Sequence, residues 1–216
     1  MSDHSAPDRV VQVSAERLSG WIDRFAERHG AVRFDAHGNA VRLTAPDGAI
    51  ASVHVPFGPV GEHPDLQTAL LDHVGRDRLV GAILVRRGGH AMGVFDGRVL
   101  RTSKVGRGYV QGRTKAGGWS QQRYARRRAQ QAEQAYAAAA DTAAQILLPV
   151  ANDLEAVVGG GDRSGVDAVL ADSRLIPLRV LWSGGVVLPT PNPRLDVLRR
   201  FGDRLREVEI RLNTLA

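Results

Sequence analysis

Apolar residues at Leu18, Trp21, Ile22 and Phe25 recur at the three- and four-residue spacing of one helix face. The spacing predicts an amphipathic helix over Ser14–His29, with Ser14 as N-cap and Gly30 as the stop. Beyond Gly30 the pattern changes to short apolar, β-branched runs, which predict strands at Ala40–Ala45, Ala49–Pro56, Leu79–Arg86, His90–Phe95 and Arg98–Ser103. Gly88-Gly89 and Asp96-Gly97 separate the last three, and an Asp-Gly pair between apolar runs is a strong hairpin signal. An antiparallel meander is therefore expected, with a short helix at Leu66–Val74 before it.

From Lys104 to Ser120 periodicity is lost. Five glycines and few residues of buried type predict an exposed, mobile loop over 104–121. From Gln121 to Leu148 the chain turns helical in composition, with a small-residue stripe at Ala125, Ala129, Ala132, Tyr136, Ala140 and Ala143 and Pro149 at its end. Leu154–Val158, the triplet Gly159-Gly160-Gly161 and Ser164–Ala171 read as strand, turn and helix, with Asp162 or Ser164 as cap. Further strands are expected at Leu178–Trp182, Val186–Leu188 and Val208–Leu212, and a helix at Arg194–Leu205. No internal repeat or clear linker appears. One α/β domain over 1–216, with a mixed sheet flanked by helices and a disordered tail over 1–9, is the economical reading.

Composition adds two constraints. The chain has no cysteine, which excludes disulfides, thiolate metal sites and a cysteine nucleophile, and fits a reducing cytoplasm. The polar, acid-containing start is neither a secretory signal nor a basic transit peptide, and no apolar run reaches membrane-spanning length. A cytoplasmic protein without a membrane partner is expected.

Charge changes the picture more. Ten of the 29 basic residues fall between Gly97 and Ala132, a stretch without Asp or Glu, which leaves 19 basic against 23 acidic residues elsewhere. One segment thus makes an otherwise acidic chain basic, the footprint of a polyphosphate partner such as nucleic acid. Arg123, Arg126, Arg127 and Arg128 crowd the start of the long helix, where the dipole and mutual repulsion each disfavour them by only a few tenths of a kcal/mol. A solvated arginine face would survive that cost. The basic residues continue through the loop undiluted, so phosphate contact is the better account.

The loop reads Arg113-Thr114-Lys115-Ala116-Gly117-Gly118-Trp119-Ser120-Gln121-Gln122-Arg123. Paired glycines let backbone approach a ligand closely. A glutamine does not titrate, but it can orient a water and offer its backbone N–H to a developing oxyanion, enough for a reactive ester. Trp119, an aromatic in a basic loop, can stack on a base. Composition alone would make this a surface loop with an incidental glutamine.

Gly108 to Arg128 resembles the catalytic loop of release-factor-like peptidyl-tRNA hydrolases, relatives of the middle domain of archaeal and eukaryotic class-one release factors. The resemblance is to the branch of the eukaryotic ribosome-quality-control hydrolase and its actinobacterial relatives. There a glycine, two variable residues and a glutamine replace Gly-Gly-Gln, as Gly118, Trp119, Ser120 and Gln121 do here. The resemblance implies an RNase-H-like mixed sheet and hydrolysis of the ester joining nascent peptide to tRNA in the peptidyl-transferase centre of the large ribosomal subunit. It implies that Gln121 orients water, that Gly117 and Gly118 permit the close approach, and that Ser120 belongs to the same catalytic group. Arg113, Lys115, Trp119, Arg123, Arg126, Arg127 and Arg128 would hold rRNA or the tRNA acceptor end. No metal or organic cofactor is needed for such chemistry, and a monomer that rescues stalled peptidyl-tRNA is expected.

Rival chemistries find less support. Asp96, Asp141, Asp153 and Asp162 show no convergence of the kind two-metal nucleases require. His54, His63, His73 and His90 lack metal-ligand spacing. The Gly159–Gly165 turn lacks the Gly-Lys-Ser/Thr ending of a phosphate loop, and Ser164 and Ser183 lack a nucleophile elbow. The remaining alternative is a non-enzymatic rRNA- or tRNA-binding, ribosome-associated factor with Gln121 as a bystander.

Overall fold

A computed structural model describes residues 9–107 and 120–216, with the side chains of 120–129 and 183–186 outside the description. In chain order the elements begin with β1 (Arg9–Ser14), α1 (Ala15–His29), β2 (Arg33–His37), β3 (Ala40–Thr44), β4 (Ile50–His54) and α2 (Leu66–Gly75). There follow β5 (Leu79–Arg86), β6 (Gly89–Asp96), β7 (Val99–Arg107) and α3 (Ser120–Leu147). The chain ends with β8 (Ala156–Gly161), α4 (Arg163–Leu170), α5 (Ile176–Val180), β9 (Trp182–Leu188), α6 (Leu195–Arg204) and β10 (Glu207–Leu212). These elements form two compact units, one made of the chain up to Arg76 together with Asp203–Ala216, the other of Asp77–Gly202.

The first unit is an antiparallel sheet in the order β1-β10-β4-β3-β2. One face of α1 closes its core: Leu18, Ile22 and Phe25 are buried against Val41, Leu43, Val53, Val208 and Ile210, while Trp21 stays half-buried and stacks on Phe25 at 5.4 Å. Each fully buried aliphatic or aromatic side chain contributes about 1.5–3 kcal/mol, so this face alone fixes the helix. Ser14 occupies the N-cap position but makes no side-chain cap bond. Gly30 ends α1 at φ 92°, its N–H bonded to Ala26 O. Asp65 caps α2 by accepting from Gln67 N.

The second unit carries a mixed sheet, in the order β7-β6-β5-β8-β9. β5, β6 and β7 form the antiparallel meander that the two turn signals predict, and β5–β8 and β8–β9 pair in parallel. Gly97 takes φ 57° in the β6–β7 turn and donates its N–H to Arg78 O. α3 and α4 bury Ala143, Leu147, Val166 and Val169 against Ile83, Val85, Met92 and Val94 on one face. On the other face α6 brings Leu198 and Phe201 close to Gly93 and Gly160.

Four expectations need correction. β1 and β2 exist where none was expected. β7 continues through Lys104 to Arg107, so the strand outlasts the expected loop start at Lys104. The triplet Gly159-Gly160-Gly161 lies inside β8, because Gly159 and Gly160 leave room for Trp182 and for Thr190 with Phe201. Leu178–Trp182 is mostly helical: α5 covers Ile176–Val180, with Pro177 in its first turn, where its missing N–H costs nothing.

Candidate functional site

The segment 108–119 runs between two elements anchored in the mixed sheet. β7 enters it: Arg107 stands opposite Gly89 at the end of the β6–β7 ladder, one row beyond Gly106 opposite His90. α3 leaves it, beginning at Ser120. Gly117, Gly118, Arg113, Lys115 and Trp119 lie outside the described residues. Ser120, Gln121, Arg123, Arg126, Arg127 and Arg128 belong to the first turns of α3, and their side chains lie outside the description.

Among the described residues of α3, those buried against the sheet lie in its C-terminal half. Ala139, Ala140, Ala143 and Leu147 are buried, whereas every residue from Gln130 to Ala138 is exposed or half-buried. The alanines allow close approach, and glycines beneath the helix do the same: a Cβ at Gly81 would lie 3.3 Å from Leu147, and one at Gly165 3.2 Å from Tyr136. At 1.5 Å per residue, Ser120 lies roughly 28 Å along the helix axis from Ala139. Gln121 therefore sits far from the helix's buried anchors. As one of the first four residues of α3 its backbone N–H has no acceptor within the helix.

Three polar ties reinforce this anchorage. His90 Nε2 on β6 lies 2.9 Å from Thr142 Oγ1. Lys104 Nζ on β7 donates to Gln145 Oε1 at 2.6 Å. Arg174 Nη2 donates to Asp141 Oδ1 at 2.8 Å while also bonding Asp172. The Arg174 guanidinium and the Arg174 backbone N–H hold the Asp172 carboxyl down at about 2. Burial, with the Lys104 charge second, lowers the His90 pKa, so its imidazole is neutral at pH 7. A Cβ at Gly106 would run into the same imidazole, so the strand end can approach only as glycine. Sequence reasoning missed this group. His90 and Thr142 are 52 positions apart and carry no local signal.

The other candidates disperse. Asp96 pairs with Arg101 at 2.6 Å beside the β6–β7 turn, and Asp141 pairs with Arg174. Asp162 lies 3.5 Å from Arg86 at the opposite end of the sheet, where it is the N-cap residue of α4 but makes no side-chain cap bond. His63 Nδ1 accepts from Asp65 N, and His73 Nε2 bonds Pro56 O. Among the described residues no group of three or more His, Asp or Glu side chains is arranged to hold a metal ion, and no helix is long and apolar enough to cross a membrane.

The fold defines a mixed-sheet α/β protein in which a strand and a long helix bracket the basic, glycine-containing segment 108–119. The model of the actinobacterial and chloroflexi VLRF1 release factors matches residues 78–211, which spans β5 to β10, and the chain belongs to that family. No curated protein matches. Among solved structures the chain is similar to an archaeal translation termination factor, aRF1, at 15% identity and a TM-score of 0.46, covering 89% of this chain and 56% of that one. It is also similar to a structure described as an archaeal protein, at 14% identity and a TM-score of 0.38, covering 74% of this chain and 48% of that one. The chain thus spans about half the length of each.

Proposed function

We propose that the chain is a peptidyl-tRNA hydrolase that acts on the large ribosomal subunit and frees nascent peptide from stalled complexes. Membership of a release-factor family over the mixed sheet and α3 carries this reading. Gln121 orients the attacking water through its side-chain amide. Its backbone N–H, in the first turn of α3, faces the oxyanion that develops when water attacks the ester carbonyl. Gly117 and Gly118 admit the ester closely, with Ser120 beside Gln121, while Arg123, Arg126, Arg127 and Arg128 hold phosphates of rRNA or the acceptor end, helped by Arg113, Lys115 and stacking by Trp119. Phosphates there offset the repulsion among arginines gathered at a positive helix end.

The test is peptide release from purified large subunits carrying peptidyl-tRNA. Wild type should release peptide. Gln121→Ala should lose on the order of a hundredfold or more in rate, the scale of losing an oxyanion-stabilising group, while still co-sedimenting. Loss at Gln122→Ala instead would move the site by one residue. Binding without release by wild type would leave a ribosome-binding factor and no hydrolase.

A further inference from the structure

The two ends of the mixed sheet differ in how fully acids match their arginines. Around the ends that hold Leu79, Asp96 and Ala156, the acids Asp77, Asp96, Asp153 and Glu155 stand among Arg78, Arg98 and Arg101, with Arg101 on Asp96 at 2.6 Å and Arg78 on Glu155 at 3.9 Å. At the other end, Arg86 and Arg107 flank Gly89 across the ladder, Arg87 occupies the β5–β6 turn and Arg163 begins α4. Asn192 belongs to the same end, since a Cβ at Gly88 would lie 3.3 Å from it, and Arg194 follows two residues later. Two of these cations are matched by acids: Arg86 with Asp162 at 3.5 Å and Arg163 with Asp167 at 3.9 Å. The nearby Asp196 is engaged by Arg200 at 2.7 Å.

Arg87, Arg107 and Arg194 are exposed, and among the described residues none has an acidic partner. They come from three separate elements, so neither helix periodicity nor a single solvated helix face accounts for the grouping. Guanidinium groups bind phosphate oxygens bidentately, and three unmatched ones gathered at one end of the sheet fit a polyanion of spaced phosphates. We propose that Arg87, Arg107 and Arg194 form a second RNA-phosphate contact on the folded body, separate from the arginines of α3. The choice of RNA among polyanions rests on the ribosomal reading above.

The experiment compares the full chain with an Arg87→Gln/Arg107→Gln/Arg194→Gln variant and with a charge-matched variant in the first unit, Arg9→Gln/Arg17→Gln/Arg42→Gln. All six positions are exposed, and near-UV circular dichroism confirms the fold of each protein. Binding is titrated against salt on two probes, vacant large ribosomal subunits and deacylated tRNA. Each phosphate left without its cation lowers the log–log salt slope by about 0.7–0.9, so the sheet-end variant should fall by about 2–3 in slope and bind on the order of tenfold or more weakly near 0.15 M salt. Weaker binding to subunits assigns the site to rRNA, weaker binding to tRNA alone to tRNA. An unchanged slope on both probes, or an equal decrease in the first-unit variant, overturns the proposal. Peptide release by Gln121→Ala decides the hydrolase reading separately, because the sheet-end test reads binding alone.

Discussion

The Thr142 hydroxyl donates to the Ala138 carbonyl at 3.0 Å within α3, and this fixes the role of His90 Nε2, 2.9 Å away, as the donor to the same hydroxyl oxygen. A carbonyl can only accept, so the hydroxyl hydrogen is spent on Ala138, and His90 is protonated at Nε2. This bond ties the second strand of the mixed sheet to the helix that carries Gln121.

Replacing Thr142 by valine keeps the shape and removes the acceptor, leaving the buried imidazole N–H unsatisfied. Thr142→Val should cost about 1–3 kcal/mol in urea unfolding. A His90→Leu/Thr142→Val double variant should recover part of that loss, since neither side then keeps an orphaned polar group. Strict additivity of the two single changes would show that the pair is not coupled.

Stability should fall with acid in two stages. Burial lowers the pKa of His90 and of His54 in the folded chain, the Lys104 and Arg211 charges adding to it. The unfolded chain then binds more protons just below the ordinary histidine value near 6.5. The contribution is complete above that pH and is lost as pH falls through it toward the folded values. Asp172 is held at about 2 by Arg174, and Asp47 is lowered by the Ala49 N–H and then by His29, so their contribution is complete above the unfolded value of 3.8 and is lost below it. Thermal melts from about pH 7 to about pH 2 should show both stages. Asp172→Asn should flatten the lower one and leave the upper one unchanged.

Gly161 closes β8 at φ 94°, where a Cβ would meet the Val85 carbonyl oxygen. Gly161→Ala should therefore destabilise the chain by about 2 kcal/mol or more through backbone strain and collision together. Denaturant midpoints check it. Gly38, which also has positive φ but open space around its missing Cβ, should lose less as Gly38→Ala.

The α3 arginines should act through charge and not through fold. Arg126→Gln/Arg127→Gln should lower the salt slope of ribosome binding by about 0.7–0.9 for each phosphate that the pair neutralises, with little change in melting temperature. A large drop in melting temperature with an unchanged slope would place these arginines in the fold.

What the sequence revealed follows how local each signal is. The meander, α1, α2, α3 and α6 were legible because turn residues, caps and helical spacing lie within a few positions of one another. β1 was not, because RVVQVS is an edge strand whose partner, β10, lies at the far end of the chain, with Arg9 opposite Leu212. Leu178–Trp182 reads as a strand by its apolar, partly β-branched residues, yet within α5 only Leu178 is buried, and proline in the first turn favours the helix. The glycine triplet reads as a turn unless one knows that Trp182 and Phe201 crowd it. For the candidate site, the charge segregation and the glutamine proposed to act were visible in the sequence, while the His90–Thr142 and Lys104–Gln145 ties arise only when β6, β7 and α3 come together.

Those ties separate foldability from chemistry. The burial of Ala139, Ala143 and Leu147 and the Lys104–Gln145 bond hold β7 and α3 through residues outside 108–119. Doubling the length of a connection between fixed ends costs only about 0.6 kcal/mol in closure entropy. Lengthening, shortening by a few residues or swapping the twelve residues between Arg107 and Ser120 should therefore leave the body folded, and under the proposed hydrolase reading it should alter peptide release. A scaffold held in this way leaves the segment proposed to carry the chemistry open to change without altering the core.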